Sequence, residues 1–103
     1  MGVPVILTPQ SQVDLREIVS FIARDNPDQA VRFGDPLIDK ALSLGTFPER
    51  GRMVPELRLE SVREIIHGSY RIIYEMLHDP DAVFVLRFWH AARGTPQIDI
   101  EPG

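Results

Sequence analysis

The sequence predicts an α+β fold in which a strand, a two-helix hairpin and a three-stranded antiparallel meander follow one another. Three observations predict it. Capping residues precede prolines at Thr8-Pro9 and Asn26-Pro27. From there to Gly45 apolar residues recur at helical spacing, whereas from Val62 onward they alternate and are rich in β-branched side chains. The chain is therefore divided into a helical half and a sheet half.

The first helix follows a short apolar run, Val3 to Leu7, which we interpret as a strand. Thr8 supplies an N-cap and Pro9 the first helical position. The apolar positions then fall at i, i+3, i+4 and i+7 and form one stripe of Leu15, Ile18, Val19 and Ile22. Asp25-Asn26-Pro27 repeats the same cap chemistry, so a second helix starts there.

The second helix is predicted over Pro27 to Leu44, with Gly45 as its C-terminal stop. Its Gly34-Asp35-Pro36 segment is a local conflict, because an interior proline removes a backbone hydrogen bond and clashes with the preceding turn. Two outcomes are open: the helix kinks, or Asp35 caps a new start at Pro36. The spaced apolar positions are Ala30, Phe33, Leu37, Ala41 and Leu44.

The meander follows an ordered loop, Phe47 to Arg58, and consists of three strands: Val62 to Ile66, Ser69 to Leu77 and Ala82 to His90. His67-Gly68 has the form of a two-residue hairpin turn.

The faces of the meander depend on register. If both turns close in register, Glu64 faces Arg71, Arg71 faces Phe88 and Ser69 faces His90, all on one face of the sheet. A one-residue slip would exchange the two faces. The opposite face, which we assign to the helices, then holds Tyr70, Ile72, Tyr74, Met76, Val83, Val85 and Trp89.

The composition fits one globular domain over residues 1–103, with 44% hydrophobic and 25% charged residues. We expect residues 94–103 to form a tail without regular structure. The absence of cysteine excludes disulfides and thiolate chemistry, and no histidine has a partner at a metal-ligand spacing, so we expect no cofactor and no metal.

The chain lacks both a signal-peptide pattern and an apolar run of membrane-spanning length, so we expect a cytoplasmic protein without a membrane partner. Its formal charge of −4 disfavours direct binding to nucleic acid. An apolar open sheet face would make the free chain a candidate for a homo-oligomer.

Two segments of the sheet half carry a resemblance to a known family. They are Arg63 to Tyr74, REIIHGSYRIIY, and Val85 to Arg93, VLRFWHAAR. The loop from Phe47 to Glu56 is similar to the connection between helices and sheet in the same family. The chain resembles the RelE/ParE toxin superfamily over nearly its whole length, and this resemblance implies the element order given above and a toxin of a type II toxin-antitoxin system.

The superfamily contains two activities. In its ribosome-dependent mRNA endonucleases, arginines hold the scissile phosphate while lysines and a C-terminal tyrosine transfer protons. Arg71 and Arg93 match the arginine positions, but no tyrosine follows Arg93 and the strand Val62 to Ile66 contains no lysine. Groups that transfer protons typically contribute ~100- to 10,000-fold to the rate. These departures favour the ParE-like branch.

For this plasmid-stabilisation branch the resemblance implies inhibition of DNA gyrase by binding rather than enzymatic catalysis, and neutralisation by a ParD-like antitoxin. The alternatives are a RelE-like mRNA endonuclease and a degenerate homologue without toxicity.

Candidate catalytic residues are Arg71, His90 and Arg93, and each has a competing structural explanation. Arg71 can pair with Glu64 across the strands. His90 can act as a general base, because imidazole titrates near neutral pH, or can simply pack at a strand end. Arg93 can be a solvated cation. The candidate partner-binding residues are Glu64, Arg71, Phe84, Leu86, Phe88 and Arg93.

Overall fold

The computed structural model describes residues 2–99 and confirms the predicted α+β order. Short 3-10 turns follow the second helix, precede the second strand and follow the last strand. The main elements are β1 (Val5–Leu7), α1 (Pro9–Asp25), α2 (Pro27–Leu42), β2 (Arg52–Met53), β3 (Val62–His67), β4 (Tyr70–Leu77) and β5 (Ala82–His90). Strand β2 was not predicted, since two residues are too short to show alternation.

The five strands form one mixed sheet in the order β1-β5-β4-β3-β2. Strand β1 pairs parallel with β5, with Val5 opposite Val83, and the remaining pairs are antiparallel. The resemblance to the RelE/ParE superfamily implies a first strand beside the meander, and this pairing confirms it. The helix hairpin provides the crossover that a parallel pair requires.

Both helices begin as the sequence predicts. Thr8 Oγ1 accepts a hydrogen bond from the Ser11 N–H at 3.2 Å, and Asn26 Oδ1 accepts one from the Gln29 N–H at 3.1 Å. Helix α2 continues through Pro36 without a break, so the alternative of a new helix start there is wrong. No helix within residues 2–99 is long and apolar enough to cross a membrane.

The main core lies between the helices and one face of the sheet. Leu37 and Ala41 of α2 and the following Leu44 are fully buried there, and Leu15 and Ile18 of α1 pack at its margin. These positions confirm the predicted stripe of α2 and, for α1, the part of the stripe formed by Leu15 and Ile18. The sheet contributes Ile65, Ile72, Tyr74, Val83, Val85 and Phe88.

The opposite side of the sheet, which we call the far face, carries a second and smaller core. It is covered by the loop before β3 and by residues after β5, through Leu57 and Ile98. Its buried members are Val54, Val62, Ile73, Leu86 and Trp89. The far face is thus partly covered.

The β3–β4 turn lies one residue later than predicted, which shifts the pairing register by two residues. The turn residues are Gly68 and Ser69, with Gly68 at φ +59°, the position that favours glycine. Glu64 therefore lies opposite Ile73 instead of Arg71, and Arg71 opposite Ile66. Because strand faces alternate every residue, a two-residue slip keeps Glu64 and Arg71 on the same face.

The β4–β5 register contains a bulge that the sequence did not reveal. Tyr74 pairs with Val85, but Ile73 pairs with Arg87, so Leu86 is the extra residue. Beyond it the faces are exchanged. Trp89, predicted on the helix face, lies on the far face, whereas Phe88, predicted on the far face, is 1% exposed in the main core.

Candidate functional site on the far face

A chain of ion pairs on the far face connects β2, β3, β4 and the intervening loop. Arg71 Nε donates to Glu64 Oε1, and Arg52 Nε donates to Glu64 Oε2 at 2.6 Å. The remaining guanidinium nitrogens of Arg71 donate to Glu56, Nη1 to Oε2 at 2.9 Å and Nη2 to Oε1 at 2.7 Å. Arg71 therefore pairs with Glu64, as one of the two predicted alternatives states.

The charges in this chain of ion pairs stabilise one another. The Glu64 side chain is fully buried and that of Arg71 only 11% exposed. The hydrogen bonds from Arg71 hold the pKa of Glu56 at about 2, against an ordinary value of 4.5. The pKa of Arg71 is raised, mainly by its hydrogen bonds to Glu56. Every guanidinium nitrogen of Arg71 consequently donates to a carboxylate.

The loop that carries Glu56 is fastened at its start by Tyr74. The Tyr74 hydroxyl donates to the Pro48 carbonyl at 2.6 Å and accepts from the Gly51 N–H at 2.9 Å. A Cβ at position 51 would lie 2.6 Å from that hydroxyl and 2.5 Å from the Glu64 carbonyl oxygen. Glycine at this position therefore allows the loop to approach the sheet closely.

His90 and Arg93 lie together at the end of β5. They share a cavity of about 170 Å³ whose lining does not include Arg71. His90 Nδ1 accepts a hydrogen bond from the Ala92 N–H at 3.0 Å, and its ring meets Tyr70 edge-on at 5.0 Å. His90 and Arg93 therefore share a cavity, whereas Arg71, which lies opposite Trp89 in the sheet, belongs to the chain of ion pairs.

Arg93 combines exposure with one defined contact. Its guanidinium carbon lies 4.0 Å from the centroid of the Trp89 ring, a cation–π geometry, while the residue as a whole is exposed. The predicted role of His90 and Arg93 in catalysis or partner binding stays a prediction.

Of the apolar residues predicted to form an open face, only Phe84 and Leu86 lie on the far face. Phe84 is partly exposed and Leu86 is 8% exposed. Phe88 is not available to a partner there, because the bulge at Leu86 turns it into the main core.

An ion pair that the sequence analysis missed fixes α1 to β5. Arg87 Nε and Nη2 each donate to the Asp14 carboxylate at 2.8 Å, and Arg87 Nη1 donates to the Gln97 carbonyl at 2.8 Å. Asp14, 4% exposed, also accepts the Phe88 N–H at 3.1 Å. The partners are separated by 73 residues, so no local pattern indicates the pair.

A groove of about 640 Å³ occupies the uncovered part of the far face, between the start of α1 and residues 97–99; we call it the Glu75 groove. Phe84, Leu86 and Leu77 supply apolar walls. Its other lining residues are Thr8, Pro9, Gln10, Glu75, Arg87, Gln97 and Asp99. Within residues 2–99 no group of three or more His, Cys, Asp or Glu side chains could hold a metal ion.

The crossover hairpin and the mixed sheet with β1 parallel to β5 form a fold that is shared with solved structures from toxin-antitoxin systems. The chain is similar to a structure of the chromosomal ParDE toxin-antitoxin system from P. aeruginosa, with a TM-score of 0.71 and 14% identity over 86% of this chain and 96% of that one. It is also similar to a structure of the RelBE2 toxin-antitoxin complex from Mycobacterium tuberculosis, with a TM-score of 0.66 and 22% identity over 87% and 99% of the two chains.

The chain belongs to the ParE toxin family. The family model described as "ParE toxin of type II toxin-antitoxin system, parDE" matches residues 5–94, which include β1 and all of the meander. A search among curated proteins gives no significant match.

Proposed function

We propose that this chain is the toxin of a type II toxin-antitoxin pair, that it inhibits DNA gyrase by binding, and that a ParD-like antitoxin neutralises it. Its membership of the ParE toxin family supports the toxin role. The observation that carries the choice of mechanism is the state of Arg71, whose Nε, Nη1 and Nη2 atoms all donate to Glu56 or Glu64.

Bidentate binding of a phosphate by Nη1 and Nη2 of Arg71, in the place that Glu56 occupies, would require Arg71 to exchange its partner. A scissile phosphate would have to displace the bidentate carboxylate of Glu56, and the fully buried Glu64 would remain beside it and repel the phosphate. The formal charge of −4 further disfavours docking on RNA. Both features support binding to a protein over cleavage of mRNA.

An antitoxin partner is supported by the two similar structures, since both come from toxin-antitoxin systems. The far face offers a surface for it, because the Glu75 groove remains open beside the covered second core. Action on gyrase requires the cytoplasmic location that the sequence predicts.

The test is induced expression of the chain in cells, followed by two assays with the purified protein. We expect growth arrest, inhibition of DNA supercoiling by gyrase, and no cleavage of ribosome-bound mRNA. Cleavage of mRNA without an effect on supercoiling would replace the proposal with the endonuclease alternative. Unaffected growth would favour the degenerate homologue.

A matched pair of variants examines the predicted contribution of Arg93. Arg93→Ala should weaken inhibition of supercoiling, because it removes an exposed cation at the end of β5. Arg24→Ala removes a cation from the last turn of α1 and serves as the control. Equal inhibition by both variants would remove Arg93 from the proposed target surface.

A further inference from the structure

Glu75 is a partly buried carboxylate without a cationic partner. It lies on the far face of β4, opposite Phe84. Among residues 2–99 no ion pair within 4.0 Å includes it, and no side-chain hydrogen bond reaches its carboxylate. Burial raises the pKa of this carboxyl. This partly buried acid differs from Glu56 and Glu64 on the same face, which are paired with arginine.

The surroundings of Glu75 are apolar and open to a ligand. Phe84 is its direct cross-strand neighbour, and Leu77 and Leu86 border the same groove. The groove volume of about 640 Å³ is large enough for several side chains of a partner. A partner segment with apolar side chains would therefore complement most of the surface of the groove.

The charge of the groove is negative. Its cation, Arg87, is already bound to the Asp14 carboxylate through Nε and Nη2 and to the Gln97 carbonyl through Nη1. Asp99 at the rim adds a further acidic residue to Glu75. Charge complementarity thus requires a cation from the occupant, placed among apolar side chains.

We propose that the Glu75 groove docks a segment of the antitoxin in which apolar side chains flank one Lys or Arg, and that this cation pairs with Glu75. The inference rests on the proposed function, because it specifies the chemistry of the proposed partner. Docking would exclude water from the carboxylate, so that the pair gains strength and selects a partner with a cation at that position.

The experiment measures the affinity of the full-length toxin for the protein encoded by the reading frame adjacent to its own gene, which is tested as the candidate antitoxin. Three toxins are compared: the natural chain, Glu75→Gln and Glu60→Gln. The Glu75→Gln substitution keeps the shape of the side chain and removes its charge, whereas Glu60 is an exposed acid outside the groove. Thermal unfolding of each toxin shows that the variants remain folded.

We expect Glu75→Gln to weaken binding roughly 30-fold or more, as for loss of one member of a desolvated pair, and Glu60→Gln to leave it unchanged. A charge exchange provides the second measurement. Glu75→Lys should weaken binding further than Glu75→Gln. Replacement of one Lys or Arg of the antitoxin by Glu should then restore the affinity for the Glu75→Lys toxin, but should not raise the affinity for the other toxins.

Each other outcome overturns the inference in a distinguishable way. Equal, tight binding by all three toxins would overturn it and leave the proposed function standing. No binding by the natural chain, together with no rescue of growth, would overturn the antitoxin part of the proposed function and the inference with it. If Glu75→Gln instead changes the sedimentation of the isolated toxin, a second copy covers the groove and the inference is wrong.

Discussion

The Glu64 carboxylate is fully buried and is shared by two arginines that differ in exposure. The Arg71 side chain is 11% exposed and that of Arg52 is 65% exposed. When a buried charge loses a buried partner, the free-energy cost of its desolvation is no longer compensated. When it loses an exposed partner, water largely takes the place of that partner, so the loss of stability is small. The same carboxylate therefore has one strong and one weak partner.

Truncation of each arginine tests this difference. We expect Arg71→Met to lower the free energy of unfolding by about 3 kcal/mol, because it leaves Glu64 buried without its main partner. Arg52→Met, the control on the same carboxylate, should cost less than about 1 kcal/mol. Urea unfolding at neutral pH measures both values. Equal losses would show that burial does not determine the strength of these pairs.

The low pKa of Glu56 predicts a loss of stability in acid. Its pKa is about 2 in the folded chain against an ordinary 4.5, so between these values the unfolded chain binds more protons and stability falls as pH falls. The effect should stay below about 1 kcal/mol, because the side chain is 31% exposed.

Unfolding of the natural chain and of Glu56→Gln at pH 6 and at pH 3 measures this contribution. We expect the natural chain to be the more stable at pH 6 and the difference to shrink at pH 3. A difference that is the same at both pH values would assign the contribution of Glu56 to packing instead of charge.

Among the elements, α1 protects a strand edge that β1 leaves uncovered. Strand β1 pairs with β5 only from Val83 to Val85. Beyond that point Asp14 of α1 accepts the Phe88 N–H and binds the Arg87 side chain. A side-chain carboxylate thus satisfies the Phe88 N–H of β5 beyond the end of β1. An open edge there would invite pairing with another chain.

Two substitutions of Asp14 separate its roles. Asp14→Asn removes the charge but keeps an acceptor for Phe88, and we expect a loss of about 2 kcal/mol in unfolding free energy. Asp14→Ala should cost more and should also accelerate hydrogen exchange of the Phe88 amide. Glu17→Gln, on the same helix, should change stability by less than about 0.5 kcal/mol. Fast exchange in the Asn variant would contradict the acceptor role.

The helices could be predicted from the sequence more fully than the sheet. The capping residue, the proline that follows it and the spacing of apolar residues determine a helix start within a few residues of sequence. Thr8 and Asn26 therefore mark both helix starts correctly. Strand faces depend instead on register, and the run from Val83 to Trp89 is apolar at every position except Arg87, so periodicity contains no sign of the bulge at Leu86.

The residues of the candidate site could be predicted only where the family resemblance matched them or where they are neighbours on adjacent strands. Glu64 and Arg71 share a face in either register, which explains why their pairing survived the two-residue error. Glu56 and Asp14 come from a loop and a helix, and neither shows a pattern that indicates a strand partner. Their contacts with Arg71 and Arg87 are tertiary and are not encoded by spacing.

At the scale of the whole molecule, residues 94–98 close the second core over Trp89. The Trp89 Nε1–H donates to the Gly94 carbonyl at 3.1 Å, Arg87 donates to the Gln97 carbonyl, and Ile98 packs on the same cluster. The sequence predicts a tail without regular structure over residues 94–103. Residues 94–98 of this tail are the segment that closes the second core, and residues 100–103 lie outside the described part of the chain.

A chain that ends at Arg93 tests whether this closure contributes to stability. It loses the indole hydrogen bond and the apolar cover from Ile98, so we expect about 2 kcal/mol less unfolding free energy and a shift of Trp89 emission to longer wavelength. The control, Gln97→Ala, keeps the main-chain carbonyl that binds Arg87 and should match the natural chain in both measurements. Because Trp89 is the single tryptophan, its emission reports this site alone. An unchanged spectrum in the shortened chain would mean that β5 and the loop around Leu57 suffice to keep water from the indole.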